Sequence, residues 1–75
     1  MARAARQLVI CIENSGYEVS LERRKIYVAI PDVRAEKLGQ LRVIDESGED
    51  YLYPKESFVR AELSQPVRRA VFQAA

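Results

Sequence analysis

The sequence predicts a mainly β domain: a small five-stranded barrel followed by a short C-terminal helix. Three observations carry that expectation. The apolar runs are only a few residues long, which suits strands rather than core helices. Turn chemistry built from Asn, Gly, Pro and acidic residues separates them at regular intervals, the pattern of a small barrel rather than of βαβ units. The hydrophobic period changes from two to 3.6 only after Leu63. A chain of 75 residues makes one domain, and a domain of this size buries only about 60% of its unfolded surface.

Residues 1–7, rich in Ala and Arg, read as a flexible segment, and residues 8–63 as the barrel. Leu8 to Ile12 is a continuous apolar run with β-branched residues, a buried strand. Asn14-Ser15-Gly16 ends it, because Asn and Gly tolerate positive φ. Tyr17, Val19 and Leu21 alternate with Glu18, Ser20 and Glu22, which predicts a half-buried second strand. After Arg23-Arg24-Lys25, the residues Ile26, Val28 and Ile30 share one face of a further strand that Pro31 closes. Asp32 to Leu38 forms one or two helical turns, with Asp32 as N-cap and Gly39 as the stop; position 35 lacks the Glu of a full capping box. Leu41, Val43 and Ile44 make a strand leading into Asp45–Asp50, and Tyr51-Leu52-Tyr53 leaves it as another. Pro54 to Ser57 is a tight connection, and Val59, Ala61 and Leu63 alternate with Arg60 and Glu62 as the last strand. In residues 64–75, Val67, Ala70, Val71 and Ala74 fall at helical spacing, and Pro66 suits a first turn capped by Ser64 or Gln65.

Composition removes several classes of function. With 48% hydrophobic and 31% charged residues the chain is an ordinary globular protein, and its net charge of +1 attracts neither nucleic acid nor an anionic membrane as a whole. The absence of histidine removes the commonest general base and metal ligand. No Ser or Cys has an evident base and no phosphate-binding glycine loop occurs, so the expectation is a protein that is not an enzyme and holds no cofactor or metal. The single Cys11, inside an apolar run, reads as a core residue. That run is too short for a signal or a membrane span, so the expected location is the cytoplasm.

From Leu21 to Leu63 the order of signals resembles an SH3-like barrel. "LERRKIYVAI" is similar to that family's diverging turn, "LRVIDESGEDYLY" to its distal hairpin, and "PKESFV" to its Pro-containing 3₁₀ turn ending in aromatic-Val, with Pro54, Phe58 and Val59 in the matching roles. Leu8 to Glu13 carries no aromatic, the chain has no tryptophan, and "PKESFV" is one residue longer than the usual turn. The resemblance therefore implies the barrel and not polyproline recognition. The same text resembles a group of small uncharacterised bacterial proteins, and that likeness implies no activity.

Four segments are candidate sites. "DESGEDYLYP" (Asp45 to Pro54) holds four carboxylates in ten residues, but its spacing does not match a calcium loop. On a hairpin tip the carboxylates are expected to face water, as the solvated part of a Ser-Gly turn. "IENSGYE" echoes "IDESGED", so one turn recipe is used twice. Tyr51 and Tyr53 share the side of their strand opposite Leu52: they form either an outer stripe near Phe58, fit to anchor a partner, or core filling. Arg23, Arg24 and Lys25, near Tyr17 and Tyr27, are candidates for holding single-stranded nucleic acid. Phe72 lies off the helix's apolar stripe and suggests a second contact. The function expected first is protein binding, to another protein or to a second copy, through Tyr17, Tyr27, Tyr51, Tyr53, Phe58 and Phe72. The alternative is nucleic-acid binding by Arg23, Arg24 and Lys25.

Overall fold

The computed structural model describes residues 5–74, so positions 1–4 of the expected flexible segment, and Ala75, lie outside the described residues. The elements run β1 (Gln7–Cys11), β2 (Ile26–Ile30), α1 (Val33–Lys37), β3 (Gln40–Ile44), β4 (Asp50–Pro54), a 3₁₀ turn (Lys55–Ser57), β5 (Phe58–Arg60) and α2 (Gln65–Gln73). All strand pairs are antiparallel, and the sheet order is β4-β3-β2-β1-β5. The last strand thus returns to pair with the first, and the sheet curls into a half-barrel, compatible with the small SH3-like barrel expected from the sequence.

The concave face carries the core. Val9, Cys11, Tyr27, Ala29, Val43, Tyr53 and Phe58 pack there, with Leu21 contributed by the long connection between β1 and β2. Edge-to-face contacts join Tyr53 to Phe58 and Tyr27 to Phe58, with ring centroids 6.2 Å and 6.5 Å apart. Cys11 is fully buried, as its apolar surroundings in sequence predict.

Local chemistry fixes the turns. Asp32 caps α1 with Oδ1, which accepts from the Ala35 N–H, while Oδ2 accepts from Arg42 Nε at 2.8 Å. The reciprocal bond of a capping box is present after all, one place later, because Glu36 Oε2 accepts from the Asp32 N–H. Gly39 follows α1 at φ 76° and its carbonyl accepts from the Lys55 N–H, joining the end of α1 to the 3₁₀ turn.

Two expectations need correction. Tyr17 to Leu21 is not a strand: the Ser20 and Leu21 N–H groups both donate to the Tyr17 carbonyl, winding the segment into a turn that leaves Val19 95% exposed. Gly16, at φ 88°, redirects the chain just before it, and of the alternating apolar residues only Leu21 reaches the core. In β2, Ile26, Val28 and Ile30 do share one face, the convex one, while Tyr27 and Ala29 face the core. Finally, β5 ends at Arg60, three residues short of Leu63; no residue of α2 is fully buried.

Candidate functional site: a tyrosine groove at the hairpin end

The two echoing turns have the same internal geometry. Glu13 Oε1 accepts from both the N–H and the hydroxyl of Ser15, at 3.0 and 2.6 Å. Asp45 Oδ1 accepts from both the N–H and the hydroxyl of Ser47, at 2.9 and 2.6 Å. Each turn then passes through a glycine at positive φ, Gly16 at 88° and Gly48 at 85°. The recipe acid-x-Ser-Gly is therefore a carboxylate that closes its own turn two residues on. The Glu46 N–H donates to the Ser20 carbonyl, which ties the long β1–β2 connection to the β3–β4 hairpin.

Of the four carboxylates expected to face water, Glu46, Glu49 and Asp50 are exposed, but Asp45 is not. Asp45 is buried, and its second oxygen accepts from the Tyr53 hydroxyl at 2.5 Å. Burial pushes the Asp45 carboxyl up, but the bonds from Ser47 and Tyr53 outweigh it and hold the group below the ordinary carboxylate range. Glu46 Oε2 accepts from the Tyr27 hydroxyl at 2.5 Å and meets Lys25 Nζ at 2.7 Å. Lys25 first, then Tyr27, holds Glu46 below its ordinary value. The Tyr27 hydroxyl also accepts from the Glu22 N–H at 2.7 Å, and burial followed by the Glu46 bond pushes its pKa well up. A phenol on each of two core tyrosines is thus satisfied by one acidic residue of the hairpin, which lets the rings fill the core without leaving a buried polar atom unpaired.

The same pinning shapes a groove. Tyr17, Ser20, Ser47, Tyr51 and Leu52 line a hollow of about 390 Å³, with Tyr53 and Asp45 at its base. The Tyr17 ring stands edge-on to Tyr53 at 5.1 Å between centroids. Tyr51 is 50% exposed and Tyr17 37%, whereas Tyr53 and Tyr27 are 4% and 5% exposed. The Tyr51 hydroxyl donates to Glu49 Oε1 at 3.3 Å. Its pKa is raised chiefly by the Glu49 charge and that bond, with Asp45 and Asp50 adding to it, so the groove edge sits in a negative field.

The predicted site residues consequently part company. Tyr17 and Tyr51 both line the open hollow at the surface. Tyr53, Tyr27 and Phe58 are core and do not form an exposed patch with Tyr51, because the side of β4 opposite Leu52 is the concave one. Phe72 is 38% exposed on α2, and the Arg68 guanidinium lies over its ring at 4.8 Å. Arg23, Arg24 and Lys25 form the turn before β2, with Arg24 at φ 69°. Lys25 is engaged by Glu46 and, at 3.6 Å, by Glu22, and Tyr27 is unavailable for stacking. Ser20, Ser47 and Leu52 were missed as groove residues. The acid-x-Ser-Gly text was the signal for Ser47, since it marks a turn closed by its own carboxylate.

A larger hollow of about 470 Å³ opens at the other end of the sheet, where Val9, Ala29, Ile30 and Leu41 form an aliphatic wall. Arg6, Arg60 and Arg68 border it, and Arg68 donates to the Arg6 carbonyl. It lacks the paired exposed aromatics of the hairpin end. Among the described residues no helix is long and apolar enough to cross a membrane. Comparison with protein families, characterised proteins and solved structures returns no match for the chain.

Proposed function

We propose that the chain is a non-catalytic protein-interaction module whose groove between Tyr17 and Tyr51 takes an extended segment of another protein bearing Lys or Arg. The observation that carries this reading is the exposure of those two tyrosines on one hollow in a carboxylate field, while the other two tyrosines are committed to the core. Tyrosine presents a large, rigid contact surface at low entropic cost and is enriched where interfaces bind most strongly. A cation placed over its face gains about 0.5–2 kcal/mol, and Glu49 and Asp50 select for that sign of charge. The nucleic-acid reading lacks comparable support, because Lys25 is paired and Tyr27 is inside. A cytoplasmic setting fits the unpaired, buried Cys11. The likeness of "LERRKIY" and "LRVIDESGEDYLYP" to small bacterial proteins fits a compact accessory module and adds no activity.

Selection of a random peptide library on the immobilised chain tests the reading. Enriched peptides carry Lys or Arg, and Tyr17→Ala and Tyr51→Ala each weaken them about tenfold or more, the effect of losing a strong interface residue. Enrichment of acidic peptides, or binding indifferent to both substitutions, overturns it.

A further inference from the structure

Strand β4 is an edge of the sheet, and the tyrosine groove runs along that edge. Successive residues of a strand point to opposite faces, yet Tyr51, Leu52 and Tyr53 all line the same hollow. A hollow touched by three consecutive residues lies against the side of the strand, where the backbone itself is reached. Sheet order leaves that side of β4 without a neighbouring strand, because β3 occupies the other one. The opposite edge of the sheet, β5, is only three residues long.

Register decides which backbone groups point into the groove. The Asp45 N–H donates to the Glu49 carbonyl, and the Lys55 N–H to the Gly39 carbonyl. These two pairs bracket the β3–β4 ladder in one register, so the bonded pairs between them are Val43 with Tyr51 and Leu41 with Tyr53. Asp50, Leu52 and Pro54 hold the alternate positions, and their main-chain groups turn away from β3. Pro54 agrees with this, since it lacks an N–H at a place where the ladder uses none. Among the described residues, no turn or loop backbone group bonds to the N–H or carbonyl of Leu52.

We infer that the occupant of the groove adds to β4 as a sixth, antiparallel strand, exchanging main-chain hydrogen bonds with Leu52 and Asp50. This rests on the reading of the groove as a peptide site and specifies the peptide: about five residues, the length of β4, alternating basic and apolar. Antiparallel is the sense of every pair in the sheet and the slightly more stable one per residue. In strand addition, main-chain bonds give affinity and alternate side chains give specificity. The residue opposite Leu52 lies on the same face as that side chain, which is 40% exposed, and is apolar. Its two neighbours fall on the face of Tyr51 and Tyr53. The one opposite Tyr51 lies beside that ring and the Glu49 carboxylate its hydroxyl meets. Among the described residues Glu49 pairs with no cation, whereas Asp50 already meets Arg42, so a basic residue is favoured there.

NMR titration of the full chain with a capped Arg-Val-Arg-Val-Arg peptide tests the inference. Methylating the two valine nitrogens removes the N–H groups that face β4 and weakens binding about tenfold or more. Methylating the arginine nitrogens, which face solvent, leaves affinity within about twofold. Arg-Arg-Arg-Val-Val, of the same composition without alternation, binds about tenfold more weakly. Hydrogen exchange gives a second readout: in the free chain the Leu52 amide exchanges freely while those of Tyr51 and Tyr53 are protected, and bound peptide slows Leu52 about tenfold or more. Equal binding of the two peptides, the same effect from both methylations, or a Leu52 amide still exchanging freely in the complex overturns strand addition and leaves the groove's preference for basic peptides standing. So does failure of the alternating peptide when library selection returns other basic ones. Binding of no basic peptide at all overturns that preference and the inference together. A Leu52 amide protected in the free chain, increasingly with concentration, also overturns it, because a second copy then holds the edge.

Discussion

Replacing Tyr53 by Phe removes one oxygen atom and tests whether the hairpin acids hold the core. The ring, 4% exposed, keeps its contacts with Tyr17 and Phe58, so packing is preserved. What disappears is the 2.5 Å bond to Asp45 Oδ2, leaving a buried carboxylate oxygen without its donor. A hydrogen bond to a charged group contributes about 1.5–3 kcal/mol, so the expected loss is about 2 kcal/mol. For a domain of this size 1 kcal/mol corresponds to roughly 4–8 °C, so the melting temperature should fall by roughly 8–16 °C. Urea unfolding followed by circular dichroism gives the free energy, and a cycle with Asp45→Asn isolates the pair, for which a coupling of about 0.5–3 kcal/mol is expected. A Tyr53→Phe protein within about 0.5 kcal/mol of the parent, the range of an inert surface substitution, would refute the reasoning.

Four further outcomes follow from the structure. Asp45 and Glu46 titrate below their unfolded values in the folded chain, so their stabilisation is complete above about pH 4–4.5 and is lost as pH falls through the folded values. A stability profile should therefore drop below about pH 4, and Glu46→Gln should flatten the drop; an unchanged slope counts against the assignment. Tyr27 and Tyr53 are raised, mainly by burial, so their contribution is complete below about pH 10 and is lost above it. Alkaline difference spectroscopy should then show Tyr27 and Tyr53 ionising only with unfolding. Gly48→Ala meets no neighbouring atom and bears only the strain of φ 85°, about 1–2 kcal/mol by urea unfolding. Cys11, with no exposure and a thiol pushed up chiefly by burial, should react with a disulfide reagent only at the rate of unfolding; rapid native labelling would contradict its placement.

Much of the fold was legible because local chemistry agreed with it. Asp32, Gly39, Gly48, Pro54 and Pro66 each mark a cap or turn whose geometry their own side chains or backbones impose. The faces of β2 were not legible, since "IYVAI" is apolar at every position and parity cannot choose between them. Tyr27 faces inward because Glu46, nineteen residues away, reaches its hydroxyl, a contact invisible to any local pattern. Alternation in Tyr17–Leu21 was real but misleading: the segment pairs with no strand, and its backbone closes on itself instead. For the site, sequence found the aromatic residues and the echoing turns. Only the curl of the sheet separates Tyr51, at the groove, from Tyr53, two residues away in the core. Asp45 was misjudged because a hairpin usually turns its acids to water, and here Asp45 turns inward to the Tyr53 hydroxyl.

The tyrosine ring resonances report most directly on the proposed binding surface. Proton NMR of the chain, titrated with an Arg-containing peptide from the library selection, should shift the rings of Tyr17 and Tyr51 and the backbone of Ser20 and Ser47. Tyr27 and the convex residues Ile26 and Val59 should stay where they are. Shifts concentrated on the convex face or at Arg23 and Arg24, with Tyr17 and Tyr51 unmoved, would contradict the account.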